Sequence, residues 1–126
     1  FNIAQTDKRL IYTNFIEDIS SFPNAIRHVE RHKEKLMQRR ECQRGIRPWY
    51  QLQWGRNSQC FESPKIVYPY KARENRFAVD RKGLYCSADV YSLLLKEAYQ
   101  DTFTLEYLAA LLNSKAAEFY FKCFAK

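Results

Sequence analysis

Three groupings of side chains in this sequence could do chemistry, and each implies a different kind. His28 and His32 stand four residues apart, the spacing that puts two imidazoles on one side of a helix and could begin a metal site. Glu74 together with Asp80-Arg81-Lys82 has the carboxylates and the lysine that a metal-dependent nuclease would use. The third grouping is the largest. Aromatic and cationic residues interleave from Arg39 to Asp80, above all in Trp49-Tyr50-Gln51-Leu52-Gln53-Trp54-Gly55-Arg56 and in the run from Pro64 to Pro69. Cations neutralise phosphates and aromatic faces stack on bases, so this grouping points to nucleic-acid binding.

The first two groupings fail on spacing. A zinc-binding His-x-x-x-His helix of the protease kind needs Glu directly after its first histidine; here Val29 follows, Glu30 projects at the wrong angle, and no third ligand is evident. Glu74 and Asp80 are too close along the chain to sit on adjacent strands, and Asp80-Arg81-Lys82-Gly83 is an ordinary turn sequence. Nucleotide and hydrolase motifs are missing: there are three glycines in all, no phosphate-cradling loop, no Gly-x-Ser-x-Gly, and no Pro-Pro from which an Asn/Asp-Pro-Pro-Tyr loop could be made. Cys42, Cys60, Cys86 and Cys123 lack both metal-ligand spacing and the density of a disulfide framework, which predicts reduced, mostly buried thiols in a cytoplasmic protein. No apolar run approaches the roughly 18 residues of a membrane span.

Charge singles out two segments. The net charge is +7, but eight cations against three acids fall between Arg27 and Arg47, and six against two between Lys65 and Lys82, which leaves the remainder slightly acidic. Two basic blocks on an acidic body are the footprint expected for a polyanion partner, although a solvated basic face would look the same.

The elements that must position these groups follow from periodicity. Leu10–Thr13 has the composition of a short strand, and Phe15, Ile16 and Ile19 could form a helical turn. Ser20-Ser21-Phe22-Pro23 is a helix entry, and nothing from Asn24 to Gln43 breaks a helix, so one long amphipathic helix is expected there, ended by Gly45 and Pro48. Strands are expected at Tyr50–Trp54, Lys65–Tyr68, Phe77–Val79, Leu84–Cys86 and Val90–Leu95, with a turn at Gly83. Thr104 caps a helix rich in leucine, Asn113-Ser114 punctuates it, and a second helix starts at about Lys115. Helix, then strands, then helices, without βα alternation, predicts an α+β fold: a curved antiparallel or mixed sheet flanked by the long N-terminal helix and by C-terminal helices. With 126 residues one compact domain is expected, and the lack of an initiator Met before Phe1 is read as a segment of a longer polypeptide.

The order of several short blocks carries a resemblance. Leu36-Met37-Gln38-Arg39-Arg40, Trp49-Tyr50-Gln51-Leu52-x-Trp54-x-Arg56, Phe61-Glu62-x-Pro64-Lys65-Ile66-Val67, Asn75-Arg76-Phe77-Ala78-x-Asp80 and Leu111-Leu112-Asn113-Ser114-Lys115 together resemble the TaqI-like C-terminal specificity domain, from about Leu10 onward. That family supplies the target-recognition domain of adenine-N6 DNA methyltransferases and type IIG restriction-modification enzymes. The resemblance implies a module that reads duplex DNA in the major groove and has no catalysis of its own, while a separate methyltransferase domain of the parent chain holds S-adenosylmethionine. Arginine suits guanine O6/N7 and asparagine suits adenine N6/N7, which makes Lys71, Arg73, Asn75 and Arg76 the expected base readers. Arg39, Arg40, Arg44 and Arg47 are expected on phosphates, with Trp54, Arg56 and Lys65 also at the DNA surface. The reading further expects both basic segments to converge on one concave face. A docking module for another domain, or a single-strand binder using the aromatic strands, would fit the same composition.

Overall fold

The computed structural model describes residue 3, residues 6–14, residue 16 and residues 18–124. They form a mixed α+β structure in two compact units, one of Asp7–Arg56 and the other built from Asn57 onward.

In the first unit the expected long helix is three short ones: α1 (Pro23–Glu30), α2 (Lys33–Met37) and α3 (Arg40–Gln43). No proline or glycine marks the breaks, so the sequence carries no sign of them. His32 at the first break has φ −111° and ψ 11°, and Arg39 at the second is fully extended, with φ −64° and ψ 138°. The physical reason at the second break is visible. The Arg39 guanidinium donates to the Leu36 carbonyl at 3.1 Å and to the carbonyls of Trp49 and Gln51 at 2.6 and 2.8 Å, satisfying acceptors in the following segment that a continuous helix would not reach. After α3, Gly45 at φ 69° provides the left-handed cap its position predicts, with the Ile46 N–H reaching back to the Glu41 carbonyl at 2.9 Å. Pro23 opens α1 as expected, but no serine caps that helix; Asp18 instead accepts from the Ser20 N–H at 2.8 Å and caps a short turn of 3-10 helix at Ile19–Ser21. Phe15, part of the expected helical turn, lies outside the described residues.

The strands expected at Leu10–Thr13 and Tyr50–Trp54 are absent among the described residues. Side chains do the joining that a backbone ladder would have done. Buried Thr13 donates its hydroxyl to the Tyr50 carbonyl at 2.5 Å, the Tyr12 hydroxyl donates to the Arg56 carbonyl, and the Asn14 Oδ1 accepts from the Leu52 N–H at 2.9 Å. These bonds reach 37 to 44 residues along the chain and take up backbone groups that a strand pair would have used.

The second unit holds the sheet. After a one-turn helix, α4 (Gln59–Glu62), come β1 (Lys65–Pro69), β2 (Ala78–Asp80) and β3 (Val90–Leu93). All pairs are antiparallel and the order is β2-β1-β3, with Ile66 opposite Val79 on one side and opposite Leu93 on the other. The segment Leu84–Cys86 is not a strand, because Asp80 already captures its first N–H. Helices α5 (Leu105–Leu112) and α6 (Lys115–Phe124) close the chain, and the Thr104 hydroxyl accepts from the Tyr107 N–H at 3.1 Å as the expected cap.

The core is small: Ile66 from β1 packs with Leu105 and Ala109 of α5, and Phe77, Val79, Leu95, Leu108 and Leu112 surround them. Side chains alternate across a sheet, so Lys65 and Asp80 point to the face opposite Ile66. They are directly paired across β1 and β2, 0% and 2% exposed, with the ammonium 2.5 Å from the carboxylate. The ammonium also donates to the Phe61 carbonyl at the end of α4. Asp80 in turn accepts from the backbone N–H groups of Lys82 and Leu84 at 2.8 and 2.9 Å, and Gly83, at φ 68°, makes the turn that delivers them. Burial pushes the Asp80 carboxyl up, but the hydrogen bond from Lys65, the two backbone donors and the Lys65 charge outweigh it and hold the group below the ordinary 3.8.

Removing one partner of a buried pair leaves the other charge unsolvated, so Asp80→Ala is expected to lower stability by about 3–5 kcal/mol in urea unfolding. Because the folded carboxyl titrates below the unfolded one, the unfolded chain takes up its proton first as the pH falls. The pair's contribution is therefore complete well above pH 3.8 and is lost as acidification passes through the folded value, so wild-type stability is expected to drop there more steeply than that of Asp80→Ala.

Candidate functional site

The segment from Tyr70 to Arg76 joins β1 to β2 and carries the exposed cations Lys71, Arg73 and Arg76. Its geometry is set by two asparagines. Asn75 donates to the Leu112 carbonyl at 2.7 Å, at the last turn of α5. Asn113, directly after α5, uses its carboxamide as a substitute strand: Oδ1 accepts from the Phe77 N–H at 3.0 Å, and Nδ2 donates to the Phe77 carbonyl at 2.7 Å and to the Ala109 carbonyl at 2.8 Å. One side chain thus satisfies both backbone groups of the residue before β2 and adds a second donor to the Ala109 carbonyl, which already accepts the Asn113 N–H. Ser114 follows as a helix start, its hydroxyl accepting from the Ala117 N–H at 3.2 Å.

Aromatic rings continue from this loop across the sheet. Tyr70 meets Tyr91 edge-on at 5.3 Å, Tyr91 meets Tyr68 at 5.7 Å, and Tyr68 meets Phe77 at 5.1 Å. The Lys71 ammonium sits over the Tyr70 ring, 5.4 Å from its centre. Between the loop and α6 runs an open cleft of about 410 Å³, with Tyr68, Phe77 and Phe121 supplying rings and Arg73, Arg76 and Lys122 supplying charge. Arg76 is paired with Glu74 at 3.4 Å, and Lys122 with Glu118 at 2.7 Å.

Of the residues singled out from the sequence, this region brings together Lys71, Arg73, Asn75 and Arg76. Asn75 is drawn partly into the fold: one hydrogen of its amide nitrogen already serves the Leu112 carbonyl, which leaves a second donor and the side-chain oxygen for a base. Lys65 must be corrected outright. Its ammonium is wholly enclosed and bound to Asp80, so it holds the sheet together and cannot touch DNA.

In the Asp7–Arg56 unit, Arg40 and Arg44 are exposed, while Arg47 and Arg56 are half-buried. Arg39 is corrected as well: three of its N–H groups are spent on carbonyls of its own unit, which makes it a brace for the 49–51 segment instead of a phosphate grip. Trp54 is 73% exposed and therefore not core, whereas Trp49 is half-buried with the Lys33 ammonium 5.1 Å from its ring centre.

The Asp80 carboxylate is occupied by Lys65 and two backbone donors, which leaves it no role as a metal ligand. His28 and His32 are exposed, and no group of three or more His, Cys, Asp or Glu able to hold a metal ion occurs among the described residues. The four cysteines are free thiols; Cys123 is exposed and the others half-buried. Outside the cleft, Arg81 grips the Glu106 carboxylate with both of its sides at 2.8–3.0 Å, and that hydrogen bonding holds the Glu106 carboxyl below its ordinary range. No helix of the described residues is long and apolar enough to cross a membrane.

Asn113 is the residue that sequence reasoning undervalued. It reads as punctuation between two helices, and the one available signal was that asparagine at a helix C-terminus has donors and an acceptor to spend on neighbouring backbone. Asn113→Ala is expected to leave the Phe77 N–H and carbonyl without partners and to cost about 1–3 kcal/mol in chemical denaturation, with helix content by circular dichroism unchanged.

Comparison with known proteins bears on what this site meets. A family model described as the TaqI-like C-terminal specificity domain matches residues 9–126. The chain is similar to the type II methyltransferase M.HincII of Haemophilus influenzae, at 30% identity over 126 aligned positions that cover 93% of this chain and 24% of that protein. It is also similar to the type II methyltransferase M.BanIII of Aneurinibacillus aneurinilyticus, at 28% identity over 78 positions that cover 62% of this chain and 13% of that protein. The chain therefore spans a quarter or less of the length of these curated relatives.

Proposed function

Because this chain belongs to the TaqI-like C-terminal specificity domain family, we propose that it reads sequence in duplex DNA for a larger adenine-N6 methyltransferase or type IIG restriction-modification enzyme. It performs no catalysis itself. A methyltransferase domain elsewhere in the parent polypeptide binds S-adenosylmethionine and is this module's protein partner, and the assembly works in the cytoplasm on DNA. The observation that carries the reading is the family match over almost the whole chain, and the exposed loop between β1 and β2 supplies the chemistry it needs.

Within that reading the roles divide by exposure. Arg73 extends into a groove, with Lys71 adding charge from over the Tyr70 ring, and a guanidinium set bidentate against guanine O6 and N7 discriminates by about 1–3 kcal/mol per base pair. Arg76 contributes charge at the same loop, and Asn75 holds the loop in place. Arg40, Arg44, Arg47 and Arg56 serve phosphates in the other unit, where Trp54 offers an exposed ring. The two basic segments belong to different compact units, and each makes its own contacts with the duplex.

Fluorescence anisotropy on labelled duplex pools over a salt series tests the proposal. Affinity is expected to fall linearly in log–log form, with Arg40→Ala weakening every sequence alike and lowering the slope by about one. Arg73→Ala is expected to change which sequences are enriched. The exposed rings of Trp54, Tyr70 and Tyr91 favour one competing reading, binding of single strands by stacking; single strands that bind tightly and are not displaced by duplex would establish it over duplex recognition.

A further inference from the structure

The cleft beside the recognition loop has a second wall that none of the expected DNA contacts includes. Helix α6 brings Lys122, Glu118 and Phe121 to it, opposite Arg73 and Arg76 of the loop. We propose that α6 is itself part of the DNA-binding surface: one strand of the duplex seats its backbone in this cleft, with a phosphate held between the loop arginines and Lys122 and the sugar edge against Phe121. This deepens the reading above and rests on it.

Three observations carry the assignment. The cleft of about 410 Å³ is large enough for a nucleotide's sugar and phosphate, and it is open to solvent. Its three cations, Arg73, Arg76 and Lys122, come from two separate elements and line one space with two carboxylates, Glu74 and Glu118, which leaves one positive charge in excess for an anion to meet. And each rim cation that has an ion-pair partner has a weak one. Lys122, 61% exposed, pairs with Glu118, 29% exposed, one helical turn away, and Arg76 and Glu74 are each 56% exposed, so every one of these pairs keeps at least one partner in water. Exposed pairs of this kind contribute only about 0–1 kcal/mol, so a phosphate can replace the carboxylate with little loss. Glu118 then acts as a placeholder that keeps Lys122 aimed along the helix until DNA arrives.

The test compares two lysines of the same helix. Lys115 opens α6 and does not line the cleft, so Lys115→Ala removes the same charge as Lys122→Ala from a different place. On a labelled random-sequence duplex, Lys122→Ala is expected to weaken binding about fivefold and to lower the salt slope by about one, and Lys115→Ala to do neither. Glu118→Gln, which releases Lys122 from its partner, is expected to tighten binding two- to threefold, about the size of one weak exposed pair. Bound duplex is also expected to shield Lys122, more than Lys115, from an amine-reactive label read by mass spectrometry, a measurement that needs no variant to fold. Equal behaviour of the two lysines in a wild-type chain that does bind duplex overturns the role of α6 and leaves the recognition reading standing. A wild-type chain that binds no duplex overturns both.

Discussion

Lys65 and Asp80 face each other across the first two strands, sealed from water and sharing one short contact. Each ion loses hydration worth several kcal/mol when it is buried, so the pair is tolerable only where its remaining hydrogen-bonding capacity is filled. That condition organises the second unit. The Phe61 carbonyl takes part of the ammonium, which fixes the end of α4 against the start of β1; the Lys82 and Leu84 N–H groups take the carboxylate, which fixes the turn after β2. Phe61 then stacks on Tyr85 at 4.5 Å, whose hydroxyl donates to Glu62, closing the same corner from its outer side. The apolar core on the other face is made of few residues, so register is enforced as much by charge as by burial. A one-residue slip of β1 against β2 would strand both ions.

A rigid corner at one end of the sheet allows a polar loop at the other. The loop from Tyr70 to Arg76 projects cations yet is pinned where it rejoins the sheet, through Asn75 on α5 and Asn113 on Phe77. Recognition of a groove needs donors held in position by something that does not itself touch the ligand, and here that support is amide-to-backbone hydrogen bonding from the helix side. The sequence block that includes Asn113 and Ser114 is thus the joint where helix α5 ends, helix α6 begins and the loop is anchored. Functional cations of the proposed surface lie outside this frame; of the two cations drawn inward, Lys65 builds the sheet corner and Arg39 braces the 49–51 segment of its own unit.

How much of this was legible in advance differs by element, for physical reasons. Strand β1 was legible because a short β-branched and aromatic run lies between two prolines, and α5 because Thr104 caps a leucine-rich period. The long basic helix was not, because its second interruption arises where Arg39 reaches backbone carbonyls ten and twelve residues ahead, a partnership invisible to local periodicity. Nor were the absent strands around Thr13 and Leu52, whose β-like composition is overruled by side-chain hydrogen bonds to backbone. For the candidate site, residue type picked out the cations as a class but could not say which of them fold inward, as Lys65 and Arg39 do.

The sequence by itself determined the α+β class, the basic segments, the caps at Thr104 and Gly45, the turn at Gly83, and a family likeness carried by ordered short blocks, since all of these are local in the chain or additive in charge. Only the tertiary structure decided which lysine is buried, which arginine is a brace, and which asparagine holds the loop. A charged side chain's role depends on what lies within a few ångströms of its tip, and those neighbours, such as Asp80 for Lys65 fifteen residues away and Phe77 for Asn113 thirty-six residues away, are brought there by folding.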